Sequence, residues 1–126
     1  MIDALFNQSS YVAAKKMLDV NLMRHEAIAS NLANIETPNY KRVDLSPSFE
    51  MQLQQAVGSG DTTQVMGMQP QLGIDTQAIC SRGDGNTVQL ESELLKLNQN
   101  TTENAVETQV VNTSLAIMRM AVTGKD

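Results

Sequence analysis

The sequence predicts a mainly α-helical protein. Long N- and C-terminal helices form a coiled-coil-like pair, and a flexible Gly/Gln/Thr-rich middle between them has room for short strands. Three observations carry this. Apolar residues recur in alternating steps of four and three through the last third of the chain. A second stripe of the same kind runs near the start. Six of the seven glycines fall between Gly58 and Asn86, which interrupts both patterns.

The C-terminal stripe runs over 88–122 through Leu90, Leu94, Leu97, Val111, Leu115, Met118 and Val122, with polar Thr101, Asn104 and Thr108 at its centre. A step of 3.5 residues makes a seam for another helix, narrower than the face a helix lays on a globular core. The segment has no Gly or Pro, as an uninterrupted helix requires. At 1.5 Å per residue it spans roughly 50 Å, and its stripe cannot be covered by itself.

The N-terminal stripe spans 11–35: Ala14, Leu18, Asn21, His25, Ile28, Leu32 and Ile35. Ser9 or Ser10 is positioned to cap its start. Residues 1–10 are unpatterned and expected to fray. Pro38 ends the helix, because the residue before proline is pushed out of helical geometry. Asn34 suits a left-handed C-terminal cap, and Thr37-Pro38-Asn39-Tyr40 reads as a turn. Leu18, Ile28 and Leu32 are the expected partners of the C-terminal seam. Because this helix is the shorter, part of the long stripe is left for something outside the chain.

Ser46-Pro47 opens a short helix over Phe49–Val57, with Ser46 as cap and Pro47 in the first turn. Residues 58–86 are rich in Gly, Gln, Thr, Ser and Asp and read as mobile or ordered by a partner. Thr76–Arg82 is the best strand candidate. Asp84-Gly85-Asn86 is a turn into the long helix, whose start falls between Asn86 and Ser92. Glu91 and Glu93 lie near its positive end and Arg119 near its negative end.

Composition limits the function classes. A chain of 126 residues is one domain. With 3% aromatics it lacks the residues that thicken a compact core. The net charge of −5 argues against nucleic acid, whose phosphates need a basic surface. There are five Lys/Arg against four Asp/Glu in residues 1–42, and four against ten afterwards, so the two ends pair acceptably. Cys80 is the single cysteine, which precludes an internal disulfide. No run of 18 apolar residues spans a membrane, and the start has no secretory leader pattern.

Nothing in the sequence assembles a catalytic or metal constellation. His25 sits on a helix seam, where packing outweighs a general-base or ligand role. Cys80 has no positioned base. The glycines lead into no phosphate loop. Met17, Met23, Met118 and Met120 lie within helices, as packing residues do. No cofactor, metal or small-molecule substrate is expected. The polar seam residues can set register and partner choice, or simply mark a wet, weak helix pair.

The stretch Ser30-Asn31-Leu32-Ala33-Asn34-Ile35-Glu36-Thr37-Pro38-Asn39-Tyr40-Lys41-Arg42 resembles the signature near the amino end of bacterial flagellar rod and hook proteins. Asn39 stands where that family often has Gly. Asp44 and Phe49-Glu50 continue the likeness. Asp84-Gly85-Asn86-Thr87-Val88, with Leu90 and Glu93, resembles the family's entry into its C-terminal helix. The likeness covers the two terminal thirds, not Gly58 to Arg82. The chain's length suits a proximal-rod member, which lacks the large central domain.

The resemblance implies terminal helices packed as a coiled coil and copies assembled helically into a periplasm-spanning tube that transmits torque. It implies rod subunits, basal-body and export-gate components, and further copies of itself as partners. It also implies export in unfolded form without a cleaved signal. Asn31, Ala33, Asn34, Thr37, Pro38, Tyr40 and Lys41, with Asp84, Gly85 and Asn86, would shape the helix exit and the re-entry. The residues expected to carry packing and assembly are Leu18, Ile28, Leu32, Leu90, Leu94, Leu97, Val111, Leu115 and Met118. A reading from a different class is a soluble helical-hairpin adaptor or export chaperone that binds one partner helix. Symmetry separates the two: a rod subunit forms fibres or ladders, and an adaptor forms a fixed one-to-one complex.

Overall fold

The computed structural model describes residues 8–124. The expected fraying of 1–10 therefore falls mostly outside the described residues. Six elements follow in order: α1 Ser9–Ala33, β1 Val43–Leu45, α2 Pro47–Ser59, α3 Thr62–Gly67, β2 Leu72–Ile74 and α4 Leu90–Thr123. The protein is mainly helical, with a long helix at each end and two short strands between them.

α1 is 25 residues long, and its cap lies one or two residues before the expected Ser9 or Ser10; Gln8 holds that position with no side-chain bond. Its C-terminal cap is Asn34, but with φ −106° rather than in the left-handed region. Asn34 instead ends the helix by donating from Nδ2 to the Ser30 carbonyl at 2.8 Å. Two tight turns follow, closed by Thr37 N–H to the Asn34 carbonyl (3.0 Å) and Tyr40 N–H to the Thr37 carbonyl (3.3 Å). The left-handed residue is Asn39, with φ 60°, at the third position of the Thr37–Tyr40 turn.

Pro47 occupies the first turn of α2 and Ser46 its cap position, where the Ser46 hydroxyl pairs with Ser48 rather than with the backbone. Phe49, Leu53 and Ala56, at helical spacing, are its buried residues. With Val12, Val20, Leu45 and Val65 they form the hydrophobic core, flanked by Met17, Met23 and Met68. Each large member contributes about 1.5–3 kcal/mol by leaving water, and Leu53→Ala would cost about 2–5 kcal/mol. Lys16 is buried nearby, and its ammonium is satisfied by the Met66 and Met68 carbonyls at 3.3 and 2.7 Å.

The middle of the chain folds back onto α1 through this core. The strand expected at Thr76–Arg82 lies earlier, at Leu72–Ile74, antiparallel to β1 with Val43 opposite Ile74 and Leu45 opposite Leu72. Asp75 explains the shift: its carboxylate accepts from Gln77 N–H at 3.0 Å, and this local turn ends the strand.

α4 has 34 residues and starts within the expected window. Arg119 lies near its C-terminal end, just before the last turn, which carries no basic residue. α4 runs antiparallel to α1: Asn31 meets Glu93, Asn21 meets Asn100, and Arg24 meets Glu103. Being nine residues longer, it extends about 13 Å further than α1.

The two seams differ from their expected form. On α1, Ala14, Asn21 and Ile28 are buried, Leu18 and Leu32 are half-buried, and His25 is exposed. On α4 the buried residues are Glu93, Asn100, Ser114 and Met118, with Leu97 and Val111 half-buried. Leu90, Leu94, Leu115 and Val122 are exposed, as are Thr101, Asn104 and Thr108. The helix is thus turned by roughly a quarter turn from the orientation its hydrophobic periodicity predicts. An ion pair and an amide contact, rather than apolar area, set that rotation.

Candidate functional site

The two sequence signatures, more than forty residues apart, lie side by side. Asn31 is fully buried near the end of α1. Its Oδ1 accepts from Val43 N–H at 2.9 Å, and its Nδ2 donates to the Val43 carbonyl at 2.8 Å and to Glu93 at 3.2 Å. The Tyr40 hydroxyl reaches Asn31 Oδ1 at 3.4 Å and pairs with Ser30 at 3.1 Å. Thr37 donates to Asn34 Oδ1 at 3.2 Å.

The second signature closes over the first. Asn86 is buried, and its Nδ2 lies within 2.8–3.0 Å of the Asn34, Ile35 and Thr37 carbonyls, which face it from the turn that follows α1. Its Oδ1 accepts from Val88 N–H at 2.8 Å. Asn39 N–H donates to the Asp84 carbonyl at 2.9 Å, Thr87 N–H to the Tyr40 carbonyl at 3.1 Å, and Lys41 Nζ to the Gly85 carbonyl at 2.9 Å. Gly85 has φ 77°, and a Cβ there would collide with Asn39 Oδ1. The backbone conformation favours glycine, and a Cβ would in addition push the Asn39 side chain aside. Pro38 and Ala33 are exposed; they shape the chain without joining the clasp.

Beneath the clasp is a charge hub that sequence reading missed. Arg42 is 4% exposed. Its guanidinium donates to Glu93, to Asp75 at 2.7 Å and to Asp44 at 2.7 Å. Lys96 lies 3.6 Å from Asp44, and Arg24 lies 3.6 Å from Asp44 and also pairs with Glu50. Burial works against the charge on Arg42, but the bonds to Glu93 and Asp44 outweigh it and hold its pKa above the ordinary value. Burial likewise pushes the Asp44 carboxyl upward, and the Arg42 and Leu45 N–H donors more than reverse this. Glu93, expected to complement the helix dipole, is instead this hub's fully buried anion. The available signal was its position, and that of Arg42, inside the two recognisable stretches.

The remaining candidates lie apart from the clasp. Cys80 is exposed, and its thiol donates to the Arg82 carbonyl at 2.9 Å. Arg82 itself binds the Ile35 carbonyl at 2.7 Å. Among the described residues no group of His, Cys, Asp and Glu is placed to hold a metal ion, and no helix is long and apolar enough to cross a membrane.

The second feature is the outward side of α4. At 100° per residue, Leu90, Leu94, Leu115 and Val122 fall within an arc of about 80°. They are 47%, 45%, 37% and 65% exposed. Leu95, Val106, Ile117 and Met120 add further exposed apolar surface on the same helix. A geometry that binds backbone and side chains tightly at one end, and offers an uncovered apolar helix along its length, is suited to assembly. No protein-family profile matches the chain. It is similar to the flagellar basal body rod protein FlgB of Borrelia hermsii, with 31% identity over 105 residues, covering 69% of this chain and 76% of that protein.

Proposed function

This chain belongs to the flagellar basal body rod protein family, and on that premise we propose that it is a structural subunit of the proximal rod. In this reading residues 1–126 act as one rod-type domain. Copies assemble helically through their terminal helices, together with neighbouring rod and export-gate components, and transmit torque. The subunit reaches the rod by flagellar export without a cleaved signal. Its work is assembly rather than catalysis.

The observation that carries this reading is the rotation of α4. The chain buries a polar track (Glu93, Asn100, Ser114) against itself and leaves Leu90, Leu94, Leu115 and Val122 uncovered. Covering apolar side chains is favourable by about 25 cal/mol per Å². A contact between unlike surfaces of identical copies does not close, and so it builds a filament. The clasp supplies the complementary need, a rigid joint between α1 and α4 through which force can pass.

The test is Leu115→Asp in a motile strain. Leu115 is partly exposed, so the variant should fold with unchanged helicity yet fail to enter basal bodies, and motility should be lost. Normal swimming would refute the proposal. A fixed one-to-one complex with a single partner helix, in place of ladders on cross-linking, would favour the adaptor reading.

A further inference from the structure

A groove with a cavity volume of about 740 Å³ runs between α1, α2 and the middle of α4. Its floor is apolar, built from Ala14, Met17, Val20, Leu45 and Leu53, with Val57 at the edge. Small residues keep it open: Ala13 and Ala14 lie on α1, and Gly58 has nothing within 4 Å of the place a Cβ would take. Its rim is acidic, with Glu50, Glu103 and Glu107. Arg24 already pairs with Glu50 and lies 3.8 Å from Glu103. Glu107 has no ion-pair partner among the described residues. It stands four positions from Glu103 on the same helix face, where like charges repel. Its carboxyl is held above the ordinary pKa by burial and then by the Glu103 charge. An apolar trough with an uncompensated anion on its rim calls for an apolar helix that carries a cation.

The far end of α4 has that chemistry. Leu115, Arg119 and Val122 fall within an arc of about 60°. Leu115 and Val122 are exposed, and Arg119 has no ion-pair partner among the described residues. It is the one cation described on α4 beyond Lys96. We propose that the groove between α1, α2 and α4 receives the C-terminal end of α4 from a second copy of this chain, with Leu115 and Val122 on the apolar floor and Arg119 paired to Glu107. The inference rests on the rod reading and names which surfaces meet. It also explains why the contact propagates. Groove and helix end are different surfaces of one molecule, so each added copy leaves one of each unfilled.

The test uses the full chain in its own basal bodies. In a Cys80→Ser background, Val57→Cys and Leu115→Cys are introduced together, and mild oxidation should join copies into a ladder on a non-reducing gel. Glu107→Arg or Arg119→Glu alone sets like charges against each other and should cut the ladder about tenfold, whereas the exchanged pair Glu107→Arg/Arg119→Glu should restore most of it. All of these positions are exposed or half-buried, and helicity by circular dichroism checks each fold. Absence of any disulfide between copies, or an exchanged pair no better than the single variants, would overturn the docking. If Leu115→Asp abolishes motility while no Val57–Leu115 disulfide forms, the rod subunit stands and this pairing of surfaces falls.

Discussion

The side-chain amide of Asn31 acts as the strand that Val43 lacks. It accepts from the Val43 N–H at 2.9 Å and donates to the Val43 carbonyl at 2.8 Å, on the edge of β1 away from β2. A helix residue thereby completes the backbone bonding of a strand twelve positions later and joins it to Glu93 of α4. Asn31→Ala would leave two backbone groups and a buried carboxylate short of partners, at a cost of about 2–4 kcal/mol. Urea denaturation should show a lower midpoint with an unchanged slope. Asn31→Asp keeps the acceptor but sets a second carboxylate against Glu93, so its penalty should shrink as acid neutralises the new group.

Gly85→Ala should cost about 1–3 kcal/mol, because φ 77° is strained for any residue with a Cβ and that atom meets Asn39 Oδ1. In an Asn39→Gly background the clash disappears and only the backbone strain remains. The two substitutions should then be non-additive, the second variant costing less than it does alone. Thermal melts of the four proteins in the cycle measure this directly.

Arg42→Met should destabilise by about 3–5 kcal/mol, since Glu93 stays buried without its cation, and Arg42→Met/Glu93→Met should recover much of the loss. The hub also sets a pH dependence. The folded pKa of Asp44 lies below its unfolded value, so its contribution is complete above the ordinary carboxylate pKa. That contribution is lost as pH falls through the folded pKa. Asp44→Asn should flatten the acid limb of the stability curve. Glu107 has the opposite sign: its folded pKa is raised, so it weakens the fold above the carboxylate range and not below it. Glu107→Gln should therefore raise the melting temperature at neutral pH and leave it unchanged in acid.

Asn21 sits on the α1–α4 seam with both side-chain polar atoms buried and without a hydrogen-bond partner among the described residues, as is Asn100 Oδ1. Asn21→Leu removes that penalty and should stabilise the chain by about 1–2 kcal/mol in denaturant titrations. Its backbone carbonyl, which accepts from Asn100 Nδ2 at 3.0 Å, is untouched by the change. If the polar pair serves to hold the register of α1 against α4, the same variant should incorporate into rods less faithfully while melting higher.

The sequence by itself determined α1, α2 and α4, their approximate ends and the turns beside them, because these depend on neighbours a few residues apart; α3, inside the stretch read as mobile, was not among them. Asn34 ends α1 ahead of Pro38, Asn39 takes the positive φ, Pro47 opens α2, and an unbroken run without Gly or Pro forms α4. Only the tertiary structure decided which way α4 faces. Periodicity ranks Leu94 and Leu115 as inward and Glu93 and Asn100 as solvated, on the premise that apolar residues go inside. Glu93 goes inside because Arg42 and Asn31, fifty or more positions earlier, are there to meet it. Partners so distant in the chain leave no local pattern. The same holds for β2, which pairs at Leu72–Ile74 because β1 stands opposite, and for Asn86, which binds the turn after a helix that ended fifty residues before it.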